Sequence, residues 1–171
     1  MIRPLRGNLD RRLGKLDAGE YAAIILAAAG LKRLGLVQRI RSYLPPEQSL
    51  PAPGQGAMAI EILSERADLK EWLAPLNHQA TALAVTAERT VSRNFGGSCQ
   101  IPLAAFATID DDDMRLRAII ATPDGSKIAS ADLSAAATEP EALGRQIADA
   151  LKQQDAAAIL ALCKTDADGD V

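Results

Sequence analysis

Aromatic side chains make up only 3% of this 171-residue chain: two Phe, two Tyr and one Trp. So few rings leave little to stack on nucleic-acid bases, and the core has to be built from Leu, Ile, Val and Ala. Histidine occurs once, as His78, which excludes a histidine-based metal cluster. The two cysteines, Cys99 and Cys163, do not replace it. They are also too few for a disulfide framework and fit a reduced cytoplasm. No apolar run reaches the ~20 residues of a membrane span; Ile24 to Ala29 is strongly apolar but far too short. Met1-Ile2-Arg3-Pro4-Leu5-Arg6 has no apolar signal region. Gly54-Gln55-Gly56 is too brief for a phosphate loop, and neither a Walker pattern nor a dinucleotide fingerprint is present.

What is present is unevenly distributed. The net charge of −3 conceals a basic first quarter. Residues 1–41 carry nine basic side chains against Asp10, Asp17 and Glu20, a local +6, which leaves −9 for the rest. Seven of the nine are arginine, the side chain suited to bidentate capture of carboxylate or phosphate. A site for anions and a set of solvated helix faces are both compatible with this pattern. Nucleic acid is one candidate anion, weakened by Tyr21 being the one aromatic residue of residues 1–41.

Along the chain, Leu9, Leu13 and Leu16 form one helical face behind Asn8 as N-cap. Glu20 to Ala28 reads as a buried strand, although its alanines also permit a helix. A short helix around Gly30 to Leu36 carries Lys32 and Arg33. Helix, strand, helix in this order implies an α/β layer with parallel strands. The loop at Ala28-Ala29-Gly30 then faces a ligand crevice, within reach of Arg33. Leu50-Pro51-Ala52-Pro53-Gly54-Gln55-Gly56 is a turn-rich connection leading to a short strand over 57–62, and 65–73 reads as a helix. Asn77 is expected to cap a long helix over 78–94, with His78 structural or exposed in its first turn. Strands over 101–109, 114–121 and 127–133 follow, turning at Asp110–Asp113 and at Pro123-Asp124-Gly125-Ser126. The run of four Asp reads as a solvated turn, since the Gly and distal Glu of a calcium loop are missing. Thr138-Glu139-Pro140-Glu141 has the form of a capping box for a helix reaching about residue 153. Asp155 caps a last helix ending near Cys163. The fold class is therefore mixed. Part of a doubly wound α/β domain precedes a small α+β domain with a three-stranded antiparallel sheet and helices on one face.

Between the long helix and the first strand of that sheet lies Phe95-Gly96-Gly97-Ser98-Cys99-Gln100-Ile101-Pro102. Two glycines permit positive φ, and Pro102 suits the first residue of a strand. Cys99 is thus placed at the tip of a tight loop with little bulk around its sulfur. Such a thiol is either a small half-buried apolar residue or a point of covalent attachment.

Several stretches together resemble one family, hydroxymethylbilane synthase, also called porphobilinogen deaminase. They are Leu5-Arg6-Gly7-Asn8 through Arg12-Leu13, Leu16-Asp17-Ala18-Gly19-Glu20-Tyr21, Ala29-Gly30-Leu31-Lys32-Arg33-Leu34-Gly35, the Leu50-to-Ala57 connection, Thr86-Ala87-Glu88-Arg89, and Gly97-Ser98-Cys99-Gln100-Ile101-Pro102. The resemblance runs through nearly the whole chain in the same order. It implies a transferase of tetrapyrrole and heme biosynthesis, in the cytoplasm, that condenses four porphobilinogen into hydroxymethylbilane with release of ammonia. It further implies a dipyrromethane cofactor joined by a thioether to Cys99. Arg6, Arg12 and Arg33, with Gly30 beside them, match residues that bind the acetate and propionate groups of cofactor and growing chain. A thiolate is well suited to capturing the electrophilic azafulvene of such chemistry.

The same resemblance divides the chain into residues 1–50, part of the family's second domain; 51–75, a crossover strand and helix that join its first domain; and 76–171, the cofactor-cysteine domain. The family's N-terminal segment has no counterpart here, and its catalytic aspartate lies in that segment, so no catalytic residue is carried over. The expectation is a fragment that does not turn over porphobilinogen alone. Strand 57–62 then either pairs in a chain dimer or awaits a partner supplying the missing segment, whereas full-length members are usually monomeric. A non-catalytic pyrrole- or anion-binding fragment is the alternative reading. A nucleic-acid-binding domain on residues 1–41 gives Cys99 no role; neither nucleic acid, membrane nor metal is expected as a partner.

Overall fold

The computed structural model describes residues 3–98 and 101–168, with side chains as far as Cys163. The backbone divides into two units, residues 1–43 and 44–171.

In the first unit, α1 spans Leu9–Asp17 and begins at Asn8, whose Oδ1 accepts the Arg11 amide at 3.0 Å. Helix α2 spans Ala28–Arg33, and a 3-10 turn follows over Val37–Arg39. Leu13 and Leu31 are the buried apolar residues of this unit, one from each helix. Arg39 forms a bidentate ion pair with Asp17, tying the 3-10 turn to the end of α1. The Tyr21 hydroxyl donates to the Pro4 carbonyl at 3.0 Å. The strand expected over 20–28 is not formed: residues 21–27 run without a ladder, and α2 takes up Ala28. The apolar run supplies strand propensity, but a strand exists only with a neighbour to accept its backbone hydrogen bonds. Every described ladder partner lies within 103–136. Residues 57–62, also expected as a strand, are unpaired for the same reason.

The second unit contains α3 (Ala67–Leu73), continued by a 3-10 turn over Ala74–Leu76, then α4 (Gln79–Asn94) and a sheet. The sheet has β1 (Leu103–Asp110), β2 (Asp113–Ala121) and β3 (Ile128–Ala136), antiparallel in the order β1-β2-β3. Helices α5 (Pro140–Lys152) and α6 (Ala156–Asp168) complete it. The period of two along β2 decides the layering. Met114, Leu116, Ala118 and Ile120 are fully buried and pack with Val91 of α4, Leu143, Ile147 and Leu151 of α5, and Ile159 of α6. The alternate residues Arg115, Arg117 and Ile119 point to the opposite face. The three-stranded antiparallel sheet with helices on one face is as expected from the sequence.

Local chemistry sets the element ends, in some places differently from the sequence reading. Asp111 turns the first hairpin at φ 51°, a left-handed conformation that Asp tolerates. Helix α4 is capped by His78, whose Nδ1 accepts the Thr81 amide at 3.3 Å, and not by Asn77. Asn77 is already committed, closing the preceding 3-10 turn onto the Ala74 carbonyl. At α5 the capping box is not made. Glu139 occupies the cap position without a side-chain bond, because Ala137 and Glu139 donate to Asp112 and Ala136 and draw Thr138 into the turn off β3. Pro140 sits in the first turn as expected. Helix α6 continues past Cys163 to Asp168.

Candidate functional site

In the first unit, α1 and α2 meet where a Cβ on Gly30 would lie 3.9 Å from Leu9 Cδ2. The three expected arginines are spaced around that contact in sequence. Arg6 and Arg12 each lie three residues from Leu9, and Arg33 lies three residues from Gly30. Three residues is just under one helical turn, so Arg12 and Arg33 each sit one turn along from the touching point. Arg6 and Arg33 are exposed, and Arg12 is half-buried. Among the described residues none of the three is in an ion pair, unlike Arg39. The Arg12 Nε is buried with no hydrogen-bond partner. A buried donor left unsatisfied costs about 1–3 kcal/mol, more when it is charged. A carboxylate is the partner its fork geometry fits.

The second unit carries the loop that holds Cys99. Helix α4 stops at Asn94, and Gly96 and Gly97 continue at φ 100° and 67°, values that glycine alone adopts readily. This lets the Gly96 and Gly97 amides fold back onto the carbonyls of Arg93 and Ser92, at 3.1 and 2.9 Å. Lys152 of α5 steadies the same corner: its Nζ donates to Asn94 Oδ1 at 3.4 Å and lies 6.0 Å from the centre of the Phe95 ring. On the far side, the Ile101 amide donates to the Ser98 carbonyl at 3.3 Å and the Leu103 amide to Ile101 at 2.8 Å. Cys99, the expected attachment point, lies outside the described residues, as does Gln100. Cys163 is half-buried at the margin of the core.

Sequence reading missed Glu88. It is 5% exposed and sits on α4. Its Oε2 accepts the Gly54 amide at 2.7 Å and its Oε1 the Ala107 amide of β1 at 2.8 Å. Burial pushes the Glu88 carboxyl above the usual carboxylate range, while the Ala107 and Gly54 amides pull it down. A signal was available: Leu83, Ala84, Ala87, Glu88 and Val91 share one helical face, so a carboxylate stands in an apolar stripe.

The sheet face away from the helices bears a shallow cavity of about 380 Å³, lined by Glu47, Leu50, Arg117, Ile119, Ser130 and Asp132 among others. Its charges are matched: Arg117 pairs with Glu47 at 2.9 Å and Arg115 with Asp132. Among the described residues no three His, Cys, Asp or Glu side chains are grouped as metal ligands, and no helix is long and apolar enough to cross a membrane.

Two family models match. Residues 1–71 match the dipyrromethane cofactor binding domain of porphobilinogen deaminase, and residues 82–153 match that enzyme's C-terminal domain. Among similar proteins, the porphobilinogen deaminase of Paraburkholderia phytofirmans is 64% identical over 158 residues, covering 91% of this chain and 46% of the relative. That of Paraburkholderia phymatum is 60% identical over 168 residues, 96% of this chain and 51% of the relative. That of Bordetella parapertussis is 58% identical over 161 residues, 94% and 51% respectively. The chain spans about half the length of the curated relatives it matches.

Proposed function

The chain belongs to the porphobilinogen deaminase family, and from that premise we propose that it supplies the cofactor-anchoring and carboxylate-binding half of a hydroxymethylbilane synthase. Its substrate is porphobilinogen, four of which are joined head to tail with loss of ammonia. The setting is the cytoplasm. The dipyrromethane group, when bound, serves as the primer on which the chain of pyrroles is built. Cys99 holds it through a thioether, a role that suits a thiol on a glycine-rich loop where little side-chain bulk competes for space. Arg6, Arg12 and Arg33 receive the acid side chains, with Gly30 beside them in the same binding set.

The observation that carries this reading is the Arg12 guanidinium, half-buried with an orphaned Nε and, like Arg6 and Arg33, without an ion pair among the described residues. That arrangement is costly without a ligand and is relieved by a carboxylate. Each well-placed charged hydrogen bond contributes about 1.5–3 kcal/mol. Residues 57–62, outside any helix or ladder, expose Met58 and Ile60, as expected of a strand whose sheet is supplied by the remainder of the relatives' length. Turnover accordingly needs that remainder, and the isolated chain is expected to be inactive. The direct test is intact mass. After mixing with the complementary half of a relative and porphobilinogen, the wild-type chain should gain one dipyrromethane, and Cys99→Ser should not. An unmodified wild-type mass under those conditions would overturn the proposal.

A further inference from the structure

We propose that Glu88 is a positioning residue whose carboxylate fixes the base of the 95–102 loop. One oxygen takes the Ala107 amide in the middle of β1, five residues beyond the loop, while Glu88 itself lies on α4, seven residues before it. The pair closes a ring in the chain around the loop. The other oxygen takes Gly54, so the same carboxylate also seats the 50–56 turn. That turn is held from a second direction, since the Pro51 carbonyl accepts the Ala105 amide at 3.1 Å. Three successive outward-facing amides at the start of β1, those of Leu103, Ala105 and Ala107, are thereby taken by Ile101, Pro51 and Glu88. An edge strand left with bare amides would be free to fray or pair elsewhere. Here the strand leaving the loop is pinned along its open edge.

A carboxylate is required at this position. Both partners are donors, so the side chain has to present two acceptors at once. Glutamine offers one oxygen and turns an amide NH₂ towards the other donor. Aspartate is shorter by one methylene and reaches one partner only. The consequence for cofactor attachment rests on the reading of Cys99 given above; the brace itself does not.

The test compares wild type, Glu88→Gln and the core variant Leu116→Ala by amide hydrogen exchange and by alkylation of Cys99 with iodoacetamide, using Cys163 as internal reference. In Glu88→Gln, exchange over 95–107 should rise about ten- to hundredfold, the change expected for losing one charged hydrogen bond, while α5 keeps its wild-type protection. The Cys99-to-Cys163 alkylation ratio should rise with it. Leu116→Ala, which loosens the core that Cys163 borders without touching the brace, should raise exchange evenly and not raise that ratio. Should Glu88→Gln not fold, Glu88→Asp carries the same comparison. Exchange that rises uniformly through residues 44–168, or an unchanged alkylation ratio, would overturn the proposal. Neither readout needs bound cofactor, so a failure here is separate from a failure of the mass test.

Discussion

Gly144→Ala puts the packing of α4 against α5 to a quantitative test. A Cβ at Gly144 would lie 2.6 Å from Thr90 Cβ, 2.7 Å from the Ala87 carbonyl oxygen and 2.9 Å from Thr90 Cγ2. Carbon contacts are comfortable at about 3.5–4.0 Å, so each of these overlaps deeply. Two of the three neighbours, a backbone carbonyl and a Cβ, cannot rotate away, and relief requires the helices to part. Opposing this is the helical preference for alanine over glycine, about 0.8–1.0 kcal/mol. Overpacking costs about 1–3 kcal/mol and occasionally more, and with backbone in the way the upper end applies. The net expectation is a loss of about 2 kcal/mol. Urea unfolding monitored by circular dichroism should show a lower midpoint with an unchanged slope. Thr90→Ala in the same chain removes Cγ2 but leaves both the Cβ and the Ala87 carbonyl, so the double variant should recover only part of the loss. Because Glu88 lies between Ala87 and Thr90 on α4, the parted helices should also loosen the brace. A Gly144→Ala protein as stable as wild type would refute the close approach of the two helices.

Other expectations follow from single sites. Leu116 is fully buried at the centre of β2, and Leu116→Ala should cost about 2–5 kcal/mol in the same unfolding assay; a loss well below that range would mean the sheet does not pack as described. Asp124 Oδ1 accepts from the Thr122 hydroxyl and from the amide and hydroxyl of Ser126, bonds that bring its carboxyl down to about 2. Because the folded value is depressed, the stabilisation is complete above the ordinary carboxylate range and is withdrawn as pH falls through about 2. Carbon-detected NMR titration should find Asp124 ionised at pH 3, and an ordinary titration there would contradict the turn geometry. Glu88 works in the opposite sense. Its folded value is raised, so the folded state binds the extra proton, and stability contributed by this group falls as pH rises from about 4.5 through the raised value. Comparing the pH dependence of unfolding in wild type and Glu88→Gln should isolate that slope.

Much of the second unit could be read from sequence because the deciding signals are local. In Met114-Arg115-Leu116-Arg117-Ala118 the alternation assigns each side chain to a face, and Asp and Gly mark both hairpin turns. The misplaced caps are instructive. Asn77 and Thr138 are good capping residues by type, but each is drawn into the turn that precedes its helix, leaving His78 and Glu139 at the boundary. Propensity identifies residues able to cap; competition for the backbone decides which one does.

The two unformed strands and the missed carboxylate have a common cause. Strand propensity in 21–27 and 57–62 is a statement about a side chain's fit to a pleated, half-buried surface, and it carries no information about which strand lies alongside. Glu88 poses the same problem in polar form. Its place in an apolar stripe shows that it must be satisfied, but its partners Gly54 and Ala107 lie 34 and 19 residues away. Both are backbone amides, which leave no trace in a sequence. Motif reading can therefore pick out such a side chain, as in Thr86-Ala87-Glu88-Arg89, without its partners or its role, which hydrogen-bond accounting supplies. The loop motif around Cys99 is conspicuous in sequence, whereas the carboxylate that braces it emerges only when the open amides of β1 are traced one by one.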